Sequence, residues 1–530
     1  MALKGITREQ KWSVVILSFG TFLEYFDLML YVHMSVLLND MFFPQIDPTT
    51  KQLLTATTFC LTFLIRPIGG IIIGKIGDKF GRKSTITITT FVMATACLIM
   101  AFTPEYKDIG ITATVMVIVA RILQGFSSLG EVMGVELYLA ETLKIPYRCM
   151  ASSMIGIAAE LGSLFALATT SIALSMGSNW RYAFVFGAFI AVIGVFARLR
   201  LRETPEFVDY KKRIIKKVKT NNQSPEDIKN IQFNDKKVDK KAVLAFAFTE
   251  FHIPIALYVS YMYLGSFIES SLGMTPEQVI YQNLKVAIFA VVGAFTISCL
   301  VKKIHPIKAA IIIALIFVVG LLFIPYWLDN ISSLFSLFFV QCLVYSFCFS
   351  TYGTLDAIQY KYFPISKRFT SIATTFGIAN PLGYTVAAFG LIPLTHYFGY
   401  YALWVVFTPA VIGYLWALYY FRKLEIERGL YYDYPCEEPG KPDTILEDHR
   451  YDDESYLGDE YEPFKGRCEF STALLNKIEE LNKIMDRKVN INAVKHGITF
   501  AKKWHHNQVR KKTILFTSYS CCRFSKHLLL

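Results

Sequence analysis

The chain has 530 residues, 53% hydrophobic and 15% aromatic, with a mean hydropathy of +0.39. A solvated domain cannot hide that much apolar surface, whereas a bilayer accepts it when each segment closes its own backbone hydrogen bonds as a helix. The formal net charge of +12 comes from Lys and Arg gathered largely between apolar runs, so it reports topology and contact with lipid headgroups, and a nucleic-acid partner is excluded.

Apolar runs of about 20 residues, the length that crosses a bilayer, recur at 12–36, 52–73, 85–103, 111–138, 149–176, 182–199, 242–267, 284–301, 306–326, 332–357, 369–395 and 399–421. The expected fold class is therefore an all-α membrane protein with twelve transmembrane helices. The expected divisions are a six-helix bundle over 1–202, a polar loop over 203–241, a second six-helix bundle over 242–421 and a polar tail over 422–530. Met1 to Lys11 is short and polar and leads into a first helix too long for a cleavable signal, so it is expected to stay in the mature protein. If the N-terminus is cytoplasmic, the short inner segments hold fifteen Lys and Arg and the outer ones four, which places both termini, the central loop and the tail inside. The basic run Lys211, Lys212, Arg213, Lys216, Lys217 and Lys219 reads as a solvated helix extension beside the membrane. In the tail, Leu474, Ile478, Leu481 and Met485 recur at heptad-like spacing. Two heptads suit a short amphipathic helix better than a coiled coil, so a monomer is expected and a tail-mediated dimer stays open. Ten scattered cysteines show neither zinc nor disulfide spacing and read as small core residues.

The segment after the second span carries Gly74, Gly77, Asp78, Gly81, Arg82 and Lys83. The glycines suit a tight turn between two helix ends, and Asp78 beside Arg82 and Lys83 suits a charge cluster that latches one side. It resembles the signature loop of the major facilitator superfamily, and Arg66, Pro67, Gly69 and Gly70 extend the match. The fourth span adds Arg121, Gln124, Gly125, Ser128, Gly130 and Glu131, followed by Tyr138 and Glu141. The sixth ends Arg202-Glu203-Thr204-Pro205-Glu206-Phe207, and the first holds Glu24-Tyr25-Phe26-Asp27. Together these resemble the metabolite:proton symporter family, whose members carry proline/betaine, α-ketoglutarate, citrate and shikimate. The resemblance implies two pseudo-symmetric bundles, alternating access across the inner or plasma membrane, and a gating role for Arg66, Gly74, Gly77, Asp78, Gly81, Arg82, Lys83 and Glu141. The corresponding segment of the second half, Cys299 to Pro306, lacks both the glycines and the acid, which leaves its gating open.

Ionisable groups at bilayer depth mark a cavity, a partner or a pathway. At about 1.5 Å per residue, Glu24 and Asp27 lie on the order of 18 and 22 Å into the first helix, and Arg121 lies roughly 15 Å into the fourth, so Asp27 and Arg121 can approach. Resemblance to proton-coupled sugar carriers, in which a first-helix Asp pairs with a fourth-helix Arg, implies proton coupling by Asp27 and Arg121, with Glu24 beside them; a permanent ion pair is the alternative. Arg121, Gln124, Ser128 and Glu131 form one helical stripe. Glu160, Glu250 and His252 also fall near the midplane. His252 is a candidate proton relay, yet Glu250 and His252, two apart, point to nearly opposite sides. Tyr258 and Tyr261 continue the Glu250 face, Tyr263 lies close by, and aromatic rings around a midplane cavity suit a quaternary ammonium. The expected cavity is lined by Tyr25, Gln124, Glu131, Glu160, Glu250, His252, Tyr258 and Tyr261. No nucleotide or metal motif is present, so no cofactor is expected, and no nucleophile and base suggest an enzyme. The reading is a proton-coupled symporter of a small polar metabolite or osmolyte, proline- or betaine-like. A dicarboxylate carrier, an uncoupled facilitator or exchanger, and a transporter-like sensor acting through the tail are the alternatives.

Overall fold

The computed structural model of the protein describes residues 7–42, 61–143, 147–176, 181–220, 238–265, 273–301, 303–331, 333–350, 355–427 and 431. The chain divides into two units, 1–443 and 444–530, and every described residue lies in the first. The heptad-like stretch Leu474 to Met485, nearly all of the expected tail, residues 221–237 of the loop and 52–60 of the second expected span lie outside the described residues.

Among the described residues every regular element is helical. The long ones are α1 (Arg8–Phe42), α2 (Arg66–Phe80), α3 (Arg82–Phe102), α4 (Ile111–Thr142), α5 (Tyr147–Met176), α6 (Arg181–Leu199), α7 (Lys240–Tyr258), α8 (Pro276–Leu300), α9 (Pro306–Asp329), α10 (Leu334–Ser346), α11 (Arg368–Phe398) and α12 (Ala402–Glu427). Eight helical stretches are long and apolar enough to cross a membrane by length and composition. A connecting helix, Pro205–Thr220, follows α6.

The helix starts follow local chemistry. Thr275 and Gln278 form a reciprocal cap at α8, with Pro276 as the first helical residue. Asp239 caps α7 by accepting from the Lys241 N–H at 2.9 Å. His305 accepts from the Ile307 N–H ahead of Pro306 and starts α9, so the segment that lacks the first-half glycines is used as a helix cap. Within α7, Pro254 removes one backbone donor, and the helix continues into a π-helical turn over Val259–Tyr263.

The packing repeats itself. α1 lies against α5 and α6, and α3 against α4 and α6; α7 lies against α11 and α12, and α9 against α10 and α12. Between the two sets, α2 meets α11 and α5 meets α8, each set presenting its second and fifth helices to the other's fifth and second. The α2–α11 seam is built on small residues. A Cβ at Gly70 would stand 2.5 Å from the Ala373 carbonyl oxygen, one at Gly74 2.5 Å from Thr370 Cα, and one at Gly77 2.3 Å from the Phe369 ring. The sequence reading of Gly74 and Gly77 as turn residues is therefore corrected: both lie inside α2 and admit α11. Of these motif glycines it is Gly81 that turns the chain, at φ 108°, and the Glu203 carboxyl fills the space its side chain would need.

Candidate functional site

At the Asp78 end of the seam, charged groups from both sets of helices close on one another. Asp78 accepts from the backbone N–H groups of Phe369 (3.0 Å) and Thr370 (2.9 Å) at the start of α11, where the helix dipole favours an anion. Arg82 is fully buried. It donates from Nε and Nη2 to the two oxygens of Glu141 at 2.9 Å each, and to the carbonyls of Gly77 and, across the seam, Ile365. Glu141 also accepts from Arg368 at 3.0 Å and from the Thr204 hydroxyl at 2.7 Å. Arg148 and Arg368 begin α5 and α11 in the same way, each donating Nε to the carbonyl five residues earlier, and both pair with Glu206, at 3.8 and 2.7 Å. Lys83, expected to add charge, contributes its backbone N–H to Glu203 at 3.3 Å, and its ammonium makes no ion pair among the described residues. Asp78 lies past the expected 52–73 span. Burial pushes its carboxyl up to about 6, while Arg82 and the two α11 N–H groups pull it back.

Arg66, expected in the gate, sits twelve residues earlier, roughly 18 Å along α2 from Asp78. Its guanidinium carbon lies 4.8 Å from the Phe63 ring and 5.6 Å from that of Phe376, and Nη1 donates to Asn380 Oδ1 at 2.8 Å. Glu24 and Tyr25 on α1 act on it electrostatically, as does Tyr384 on α11.

Deeper among the first six helices, Asp27 and Arg121 do come together, but not directly. Gln124 stands between them, donating Nε2 to Asp27 Oδ2 at 2.5 Å and accepting from Arg121 Nη1 at 2.7 Å. The Arg121 guanidinium carbon lies 3.7 Å above the Tyr31 ring, and the Cys97 thiol lies beside Asp27. The expected direct ion pair is thus corrected to a bridged one, because Arg121 and Gln124, three apart on α4, both face α1. Glu131 lies on the same stripe but is paired with the buried Arg198 of α6 and receives the Thr90 hydroxyl at 2.5 Å. It is therefore a buried ion-pair partner.

Where the two sets of helices face each other, the Tyr345 hydroxyl donates to Glu160 Oε1 at 2.5 Å, and the Tyr261 and Tyr345 rings meet edge to face at 5.6 Å. Glu250 is in hydrogen-bond contact with Asp356, and Glu136 of α4 acts on both while accepting from the Tyr360 hydroxyl at 2.5 Å. Among the described residues, the main influences on these three acids are burial and one another, with the Tyr360 hydroxyl on Glu136. His252, two residues on from Glu250, lies between the rings of Phe347 (4.4 Å) and Tyr414 (4.3 Å), fully buried. It belongs to the packing of α7 with its own neighbours, which corrects its place among cavity residues. Tyr258 is half-buried against the same apolar core.

Sequence reasoning passed over Arg198, Glu136, Asp356, Tyr345, Arg368 and Glu206. A signal existed for three: Glu136 and Asp356 interrupt apolar runs, and Glu206 lies in the motif quoted for the sixth span. Their partners are more than 100 residues away in sequence (Glu250 with Asp356, Arg368 with Glu206, Tyr360 with Glu136), and no local pattern encodes such pairings. Among the described residues no group of three His, Cys, Asp or Glu is placed to hold a metal ion.

The family profile of the Major Facilitator Superfamily matches residues 17–357. The chain belongs to this superfamily. It is thus a membrane protein of a family of transporters, not of enzymes. A Staphylococcus aureus (strain COL) protein provisionally named a proline/betaine transporter is 32% identical over 212 residues, 38% of this chain. The match spans 45% of that relative's own length. A Haemophilus influenzae protein, provisionally named a metabolite transport protein, is 29% identical over 396 residues, 72% of this chain and 87% of the relative. Among solved structures, the proton:xylose symporter XylE bound to 6-bromo-6-deoxy-D-glucose superposes with a TM-score of 0.64 at 15% identity, covering 80% of this chain and 96% of XylE. At that identity the likeness concerns the fold.

Proposed function

We propose that this superfamily member is a proton-coupled symporter of a small polar metabolite, proline- or betaine-like, that works by alternating access between two six-helix bundles, 1–202 and 242–421, with twelve membrane spans. Both termini, the 203–241 connection and the tail face the cytoplasm of the inner or plasma membrane, in line with the fifteen-to-four Lys and Arg asymmetry. The Asp78, Arg82, Glu141 and Arg368 cluster is the inner gate.

The observation that carries coupling is the bridge from Asp27 through Gln124 to Arg121. While Asp27 is ionised, the Gln124 amide is fixed at both ends, its N–H on the carboxylate and its carbonyl on the guanidinium. A proton on Asp27 removes the negative charge at the far end of the bridge, and Arg121 then faces two neutral contacts there, the Gln124 carbonyl and the Tyr31 ring. A buried cation released in this way favours a different arrangement of α1 and α4. The test is uptake into proteoliposomes of labelled proline, betaine, α-ketoglutarate and citrate, with and without an inward proton gradient and an uncoupler. Wild type concentrates one solute under the gradient, and Asp27→Asn loses concentration while retaining counterflow exchange. An Asp27→Asn protein that still concentrates solute under the gradient refutes the coupling role.

A second reading puts the proton at Glu250 and Asp356. Two carboxyl groups in hydrogen-bond contact hold a proton between them, and Glu136 adds a third acid that acts on both. Glu250→Gln losing gradient dependence while Asp27→Asn retains it favours that site.

A further inference from the structure

We infer that Arg66 and Glu24 are the two charged ends of a binding site for a small zwitterion, a carboxylate and an ammonium a few bonds apart; this rests on the transporter reading above. Arg66 is 4% exposed, and its guanidinium is held between the Phe63 and Phe376 rings with one edge fixed by Asn380. Its Nε is buried and donates to nothing among the described residues. Glu24, 2% exposed, is the carboxylate that acts on Arg66, yet the two form no ion pair, and Glu24 Oε2 is likewise buried without a partner among the described residues.

An orphaned buried donor and an orphaned buried acceptor of opposite charge each carry a desolvation penalty that nothing in the pair offsets. Direct pairing would remove both costs. Arg66 and Glu24 are instead left unpaired, with an unanswered donor that matches a carboxylate at Arg66 and an unanswered acceptor that matches an ammonium at Glu24. The Tyr384 ring, 4.5 Å from that of Phe63, adds an aromatic face that acts on Arg66, and such a face suits an alkylated ammonium. A simple cation leaves Arg66 unanswered, and a dicarboxylate sets a second anion against Glu24. Because Arg66 and Glu24 come from the first six helices and Asn380, Phe376 and Tyr384 from α11, a bound zwitterion touches both sets, as a cargo that drives their rearrangement must. Glu24, expected to assist the proton, is thereby assigned to the cargo.

The experiment is equilibrium binding to the full-length protein in nanodiscs, with glycine betaine and proline as zwitterions, choline as the same quaternary ammonium without the carboxylate, and α-ketoglutarate as a dianion. Wild type is expected to bind betaine or proline at least about 10-fold more tightly than choline or α-ketoglutarate, a ranking that needs no variant. Arg66→Lys should weaken betaine about 30-fold and leave choline unchanged, and Glu24→Gln should weaken betaine while improving α-ketoglutarate. Wild type preferring choline or α-ketoglutarate, or binding neither zwitterion, overturns the assignment. So do folded Arg66→Lys and Glu24→Gln proteins that bind betaine within about twofold of wild type. Uptake of the same zwitterion separates this from coupling. Gradient-indifferent uptake with Arg66-dependent binding removes the proton reading and leaves the site, whereas gradient-driven uptake with KM unchanged in both variants removes the site and leaves the coupling.

Discussion

Gly74→Ala offers a clean perturbation of the seam. The added Cβ would lie 2.5 Å from Thr370 Cα, and backbone cannot swing aside as a flexible side-chain end does. Ordinary carbon contact needs about 3.5 Å, so α2 and α11 must part by about 1 Å at this level. Overpacking of this kind costs about 1–3 kcal/mol. The whole cost falls on the closed seam, because the clashing atoms belong to α2 on one side and α11 on the other. When this end opens, the methyl group meets nothing from α11. A penalty of about 2 kcal/mol is then about a 30-fold shift of the equilibrium toward the open arrangement. The assay is a distance distribution between spin labels at exposed Lys79 and exposed Ile378, with Gly390→Ala as control, since nothing lies within 4 Å of a Cβ at Gly390. The expected result is a longer, broader distribution for Gly74→Ala alone. An unchanged distribution and unchanged uptake would refute the claim that this seam must close for the transport cycle.

Other outcomes follow from the same geometry. Arg82→Lys removes the two-pronged contact with Glu141 and the reach to Ile365 in a buried site, and should destabilise the closed end by about 3–5 kcal/mol, read as increased labelling of a cysteine placed at Ile365. Gln124→Leu keeps Asp27 and Arg121 but removes their bridge. Gradient-driven accumulation should fall at least about 10-fold, and unaltered stoichiometry of proton to solute would count against the bridge. Asp78 titrates near 6 when buried at the seam and nearer its ordinary 3.8 when exposed, so the closed end binds the proton more tightly. Its contribution to closure is therefore greatest at low pH and is lost as pH rises through about 6. The closed population, measured by the same label pair, should grow as pH falls from 7.5 to 5, and Asp78→Asn should flatten that dependence.

Membrane class and the helical character of the apolar runs were legible in the sequence because they rest on local rules: apolar run length, and helix starts set by neighbouring residues such as Thr275 with Gln278 or His305 before Pro306. The family resemblance was legible because its motifs are contiguous. The opposite directions of Glu250 and His252 followed from helical periodicity alone, and the structure gives them separate surroundings, an acid cluster for one and two aromatic rings for the other. What the sequence could not decide is which partner each buried charge takes. A helix fixes the face on which Arg121 lies, but Gln124 rather than Asp27 receives it because the separation of α1 and α4 leaves room for an amide between them. Likewise the motif order placed Arg66 with the gate, while the rise along α2 carries it away from Asp78 to Asn380 and two aromatic rings. The glycines of α2 show the same division: their spacing is written locally, but their purpose, admitting the backbone of α11 some 300 residues later, exists only once the helices have packed.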